Sequence, residues 1–133
     1  MEVEHDPEKQ GVGKIVLVVD DSALIRKMLG AAFLSVGFTT CGEAESGKEG
    51  IEVAKQIKPD VIILDLSMPV MNGLEAASQL RKLFPKTPII LYTLYDGDPL
   101  LDVAASQAGI TLIVPKTAPV STLIDKAHEL IGN

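Results

Sequence analysis

Short runs rich in β-branched residues recur at Lys14–Val19, Phe38–Cys41, Val61–Leu64, Ile89–Tyr92 and Thr111–Val114. Runs of this length predict strands, and each interval between them is long enough for a helix. In the first interval Leu24, Ile25, Met28, Leu29, Ala32, Phe33 and Val36 recur at helical spacing, with Ser22 placed to cap the start and Gly37 to close the end. The third interval carries Leu74, Ala77, Leu80 and Phe84 before Pro85, which helps to stop the helix. A fourth helix near residues 98–109 has only a thin apolar face of Leu101, Ala104, Ala105 and Ala108. The last shows Val120, Leu123, Ile124, Ala127, Leu130 and Ile131, so it too should lie against the sheet.

Five βα units in series predict a parallel sheet, because a right-handed crossover returns the chain in the same direction. Strands that are apolar along their whole length must be covered on both faces. The expected architecture is therefore α/β, a doubly wound five-stranded parallel sheet. At 133 residues and 47% hydrophobic content the chain can bury one sizeable core, and one domain is expected.

Composition narrows the picture. A formal charge of −6 argues against direct nucleic-acid binding, which needs clustered basic residues facing phosphates. Part of that charge is local: Glu2, Glu4, Asp6 and Glu8 face Lys9 alone within the first ten residues. Residues 1–13 read as a flexible acidic tail ending in Gly-Val-Gly, and residues 14–133 as the folded domain. The longest apolar runs are far shorter than the roughly 20 residues that span a bilayer, and no signal-peptide pattern opens the chain, so a soluble cytoplasmic protein is expected. The single cysteine, Cys41, lies in an expected strand and reads as a small buried residue.

Candidate chemistry collects where the strands end. In "PDVIILDLSMPVMNG", residues 59–73, an apolar strand stops at the carboxylate of Asp65. The first strand is followed by Asp20 and Asp21, the fourth by Thr93 and the fifth by Lys116. All carboxyl ends of a parallel sheet share one edge, where ligands of open α/β sheets bind. Any one of these residues alone is as well explained as a turn or helix cap. Together they demand more. Three carboxylates in one pocket repel one another unless a cation intervenes, and a hard divalent ion with oxygen ligands, Mg²⁺, is the natural one. With Lys116 and Thr93 beside it, such a site suits phosphoryl transfer, with Asp65 as a nucleophile that forms an acyl phosphate.

These residues resemble the receiver domain of two-component response regulators, the CheY-like superfamily, over Lys14 to Gly132. The resemblance rests on "VVDDS" at 18–22, "DLSMPVMNG" at 65–73, Thr93 and Lys116. It implies a flavodoxin-like sheet of order 2-1-3-4-5. It also implies that Asp65 accepts a phosphoryl group from the histidine of a sensor kinase or phosphotransfer protein. Asp21 would bind Mg²⁺ directly, Asp20 mainly through water, and the backbone carbonyl of Ser67 would complete the ligands beside Asp65. Thr93 would follow the phosphoryl group, Lys116 would pair with it, and Pro69 and Gly73 would shape the loop. The implied output is a change in binding to a downstream protein, with homodimers formed through the fourth and fifth units. The chain would be a switch that catalyses its own phosphorylation and dephosphorylation, not an enzyme in the ordinary sense.

Several positions depart from the family pattern. Pro115 precedes Lys116 and Thr117 follows it, a form that resembles receivers preceding a DNA-binding helix-turn-helix, although no such domain follows Asn133. Ile113 stands where many receivers carry Tyr or Phe, Leu94 is larger than the usual residue after the switch threonine, and Ser67 and Tyr95 flank the position of the attacking water. These departures keep an alternative open: a receiver-like interaction module independent of phosphorylation, or the receiver of a longer DNA-binding regulator. A phosphatase of the haloacid-dehalogenase type is disfavoured, because it wants an aspartate at position 67.

Overall fold

The computed structural model describes residues 13–94 and 97–132. The elements alternate strictly: β1 (Lys14–Val19), α1 (Ala23–Ser35), β2 (Phe38–Ala44), α2 (Gly47–Ile57), β3 (Val61–Leu64), α3 (Gly73–Leu83), β4 (Ile89–Thr93), α4 (Pro99–Gln107), β5 (Leu112–Pro115) and α5 (Val120–Leu130). All strand pairs are parallel, in the order β2-β1-β3-β4-β5. The expected architecture and strand order are both present. The expected acidic tail, residues 1–12 of it, lies outside the described residues.

Successive strand residues point to opposite faces, and that alternation splits the core in two. Leu17, Val19, Ile62, Leu64, Ile89 and Leu91 pack under α2, α3 and α4 through Ile51, Ala54, Ala76, Ala77, Leu80 and Ala105. Val16, Val18, Val61, Ile63, Ile90 and Tyr92 face the other way, against Leu29 and Phe33 of α1 and Leu123, Ile124 and Ala127 of α5. Both faces are therefore covered, as continuous apolar strands require.

Some boundaries and faces differ from the sequence expectation. β2 runs on to Ala44, because as an edge strand it mixes Thr39, Thr40 and Glu43 with its apolar residues. β5 begins at Leu112; Thr111 still donates its N–H to the Ile89 carbonyl at 2.8 Å. The apolar face of α1 is narrower than expected. Leu29, Gly30 and Phe33 are buried, but Leu24 is 76% exposed, and Met28 and Val36 also face solvent. Gly30 faces Cys41 of β2, where a Cβ would make ordinary van der Waals contact. Ser22 does cap α1, accepting from the Ile25 N–H, and Gly37 follows the helix at φ +105°, a conformation that suits glycine. Asn72 and Glu75 form a reciprocal capping box that fixes the start of α3 directly after the Asp65 loop.

Candidate functional site

The hydrogen-bond ladders of the sheet continue one residue beyond the strands. Asp20 donates its N–H to Ala44 at 3.0 Å, Asp65 to Val19 at 2.9 Å and Lys116 to Thr93 at 2.7 Å. Three residues with charged side chains are thus pinned as rigidly as strand residues, at the carboxyl edge of β1, β3 and β5. Thr93 ends β4 between them.

The side chains converge. Carboxylate oxygens of Asp20, Asp21 and Asp65 lie within 4.8 Å of one another. The Lys116 Nζ sits 2.9 Å from Asp20 Oδ2 and 3.3 Å from Asp65 Oδ1. Asp21, Asp65, Ser67, Thr93, Leu94 and Lys116 line a pocket of about 330 Å³. Asp20, Asp65 and Thr93 are 2%, 7% and 1% exposed, whereas Asp21 faces solvent. Every site residue expected from the sequence therefore meets at one place.

Burial dominates the electrostatics. It pushes the Asp65 carboxyl above its ordinary value, the charge of Asp20 adds to the effect, and Lys116 and a backbone hydrogen bond from Ser67 offset it only in part. Burial alone would lower the Lys116 ammonium; hydrogen bonds and charge from Asp20 and then Asp65 outweigh it and raise the group, so Lys116 stays charged. The pocket holds three carboxylates against one ammonium, and all its anionic donors are oxygens. That donor set fits a hard divalent cation.

The loop after Asp65 is shaped by close approach. A Cβ on Gly73 would fall 2.2 Å from the Asp65 carbonyl oxygen, so no larger residue fits without moving the acceptor strand. Gly73 also donates to the Leu66 carbonyl at 2.8 Å. Pro69 accepts from the Met71 N–H at 2.7 Å across Val70, which is fully exposed at φ +70°. A β-branched residue in that conformation is strained.

Of the departures noted above, Ile113 packs with the core face under α2, α3 and α4, Leu94 is 67% exposed at the pocket mouth, and Tyr95 lies outside the described residues. Cys41 is half-buried in β2 with its thiol raised to about 11, first by burial, and is therefore a packing residue rather than a nucleophile. Sequence reasoning missed Arg26, whose Nη1 donates to the Asp20 carbonyl at 2.8 Å. Its one signal was an arginine within the apolar-patterned first helix.

Comparison with known proteins agrees with this geometry. A family model described as "Response regulator receiver domain" matches residues 16–128. The chain is 33% identical over 119 residues to a chemotaxis protein CheY of Thermotoga maritima, covering 90% of this chain and 98% of that protein. It is 39% identical over 103 residues to a protein-glutamate methylesterase/protein-glutamine glutaminase of Hahella chejuensis, covering 76% of this chain but only 29% of that protein. Among solved structures, chemotaxis protein CheY4 of Vibrio cholerae superposes with a TM-score of 0.83 at 30% identity, covering 88% of this chain and 98% of that one.

Proposed function

The chain belongs to the response regulator receiver domain family of two-component systems, and from that premise we propose that it is a Mg²⁺-dependent phosphoacceptor switch with Asp65 as the acceptor. The observation that carries the reading is Lys116 bridging Asp20 and Asp65 in a pocket that Asp21 and Thr93 also line. The donor is a phosphohistidine on a sensor histidine kinase or a phosphotransfer protein. An Asp65 carboxylate oxygen forms the new bond to phosphorus as the phosphorus–nitrogen bond breaks, and the imidazole leaves with that electron pair.

Asp20, Asp21, Asp65 and the backbone carbonyl of Ser67 would hold Mg²⁺, which when bound supplies charge neutralisation for the phosphoryl oxygens. The chain's own groups do the rest. Lys116 gives a fixed cation 3.3 Å from the Asp65 carboxylate, and the Thr93 hydroxyl would offer a hydrogen bond to a phosphoryl oxygen. Phosphorylation places about two negative charges at Asp65. Drawing Thr93 toward them repacks the surface of α4, β5 and α5, and output is altered binding to a downstream protein. That surface also serves for homodimers. The reading places a single switch unit over residues 14–133, in the cytoplasm, without direct contact to nucleic acid. Among the described residues no helix is long and apolar enough to cross a membrane.

With Mg²⁺ and a small acyl-phosphate donor, the protein should gain one phosphoryl group, and Asp65→Asn should gain none. Equal incorporation in both would remove Asp65 from the mechanism. A second reading, a module that binds partners without phosphate, is favoured by the exposed Leu94 at the mouth and by Ile113 in place of the usual aromatic. Full partner binding and output by Asp65→Asn would establish it.

A further inference from the structure

Asp20 is held at each of its polar atoms. Its N–H donates to Ala44 at 3.0 Å, Oδ1 accepts from the Ser22 N–H at 2.9 Å, Oδ2 accepts from Lys116 at 2.9 Å, and the carbonyl accepts from Arg26 at 2.8 Å. Asp21 has no such support. Its carboxylate faces solvent and, among the described residues, makes no side-chain hydrogen bond, yet it lies in one cluster with Asp20 and Asp65. The direction of Asp21 therefore depends on the peptide plane that joins it to Asp20. Arg26 grips that plane at its oxygen.

The grip is itself braced. Arg26 projects from α1, is largely buried, and donates its Nε to Glu43 of β2 at 3.2 Å while Nη1 reaches the Asp20 carbonyl. One planar guanidinium thus joins a helix, an edge strand and the acidic loop. We infer that Arg26 is a positioning residue that orients Asp21 toward Asp65 and thereby sets the affinity of the pocket for a divalent cation. The inference rests on the reading of the pocket as a Mg²⁺ site.

Charge and geometry here act in opposite directions, which makes the inference testable. If Arg26 mattered only as a cation near the pocket, removing it would tighten Mg²⁺ binding. Its charge is partly offset by Glu43, which Lys27 shares at 3.2 Å, and such a pair contributes up to about 1 kcal/mol, so that effect is less than about five-fold. Groups that orient metal ligands typically alter affinity by about 10- to 100-fold when lost. Orientation should win. Lysine keeps the charge but cannot span both acceptors with one ammonium, so Arg26→Lys isolates geometry from charge.

The experiment is calorimetric titration of the full chain with Mg²⁺ alone, with thermal unfolding of each metal-free protein alongside. Arg26→Met should bind about ten-fold more weakly or worse, Arg26→Lys should fall between it and the wild type, and the Asp21 amide resonance should shift in both. Wild-type affinity or tighter binding in Arg26→Met overturns the inference. If Arg26→Met does not fold, Arg26→Lys decides: weaker binding at an unchanged Tm supports the inference, and unchanged affinity overturns it. A wild-type protein that binds no Mg²⁺ would instead overturn the reading of the pocket itself, and with it the role of Arg26.

Discussion

The two edges of the sheet end their strands in opposite ways. At the amino edge Asp60, Thr111 and Arg81 are each matched to backbone groups. Asp60 exchanges hydrogen bonds with Ile15, accepting its N–H at Oδ2 and donating its own N–H to the Ile15 carbonyl, both at 2.8 Å. Thr111 does the same for Ile89, with its Oγ1 accepting at 3.0 Å. Arg81 then joins α3 to the turn before β5, donating to the carbonyls of Phe84, Thr87 and Gly109 at 3.0, 2.8 and 2.7 Å. At the carboxyl edge three carboxylates cluster, and Lys116 pairs with two of them, Asp20 and Asp65, both buried. One edge stabilises the fold, while the other gives up stability to hold charge ready for a ligand.

The comparison can be broken at either edge. The largest effect should come from Arg81→Ala, which strips several carbonyls of a charged donor and should cost about 2–3 kcal/mol in urea unfolding. Loss below about 0.5 kcal/mol would show that the amino edge is not what holds α3 to β5. At the other edge the sign reverses. In metal-free buffer Asp65→Asn should stabilise the protein by about 1 kcal/mol, since it removes a buried charge beside Asp20, with the weakened Lys116 contact as a partial offset. Added Mg²⁺ should narrow the difference by stabilising the wild type more.

The same charge sets a pH dependence. The native Asp65 carboxyl titrates above its ordinary value of 3.8, so between those two points the native state holds a proton that the unfolded chain has lost. Stability from this group is complete below 3.8 and is lost as pH rises through the native value. Wild-type unfolding free energy should therefore fall relative to Asp65→Asn across that window, and parallel pH profiles would contradict the account. The smallest effect concerns Val70. Replacing it by glycine relieves a strained positive φ and should stabilise by about 0.5–1 kcal/mol, offset in part by the looser unfolded chain.

What could be read from the sequence follows the same division. The site residues were legible because each interrupts an apolar run at its carboxyl end: Asp20, Asp65 and Lys116 stand where a buried strand abruptly carries a charge. Five such runs in alternation with helices implied a parallel sheet covered on both faces, whereas the strand order was implied only by the resemblance to receiver domains. Arg81 was not legible, since its partners are backbone carbonyls of residues up to Gly109, and a carbonyl has no sequence signature. Arg26 was hidden for the same reason. The true extent of β2 was obscured by its place at the sheet edge, where polar residues are tolerated. The apolar face of α1 was overestimated, because periodicity marks Leu24 and Met28 as candidates for burial but does not show which part of the apolar stripe the sheet covers.

The central claim is that the carboxyl edge is a pocket poised to carry phosphate on one carboxylate. Mapping the modified residue tests it directly: treat the full chain with an acyl-phosphate donor and Mg²⁺, reduce with borohydride, and sequence the peptides by mass spectrometry. The account predicts conversion of Asp65 to homoserine, abolished when the metal is chelated. Conversion at Asp20 or Asp21 instead, or unmodified Asp65 with every donor, would contradict it.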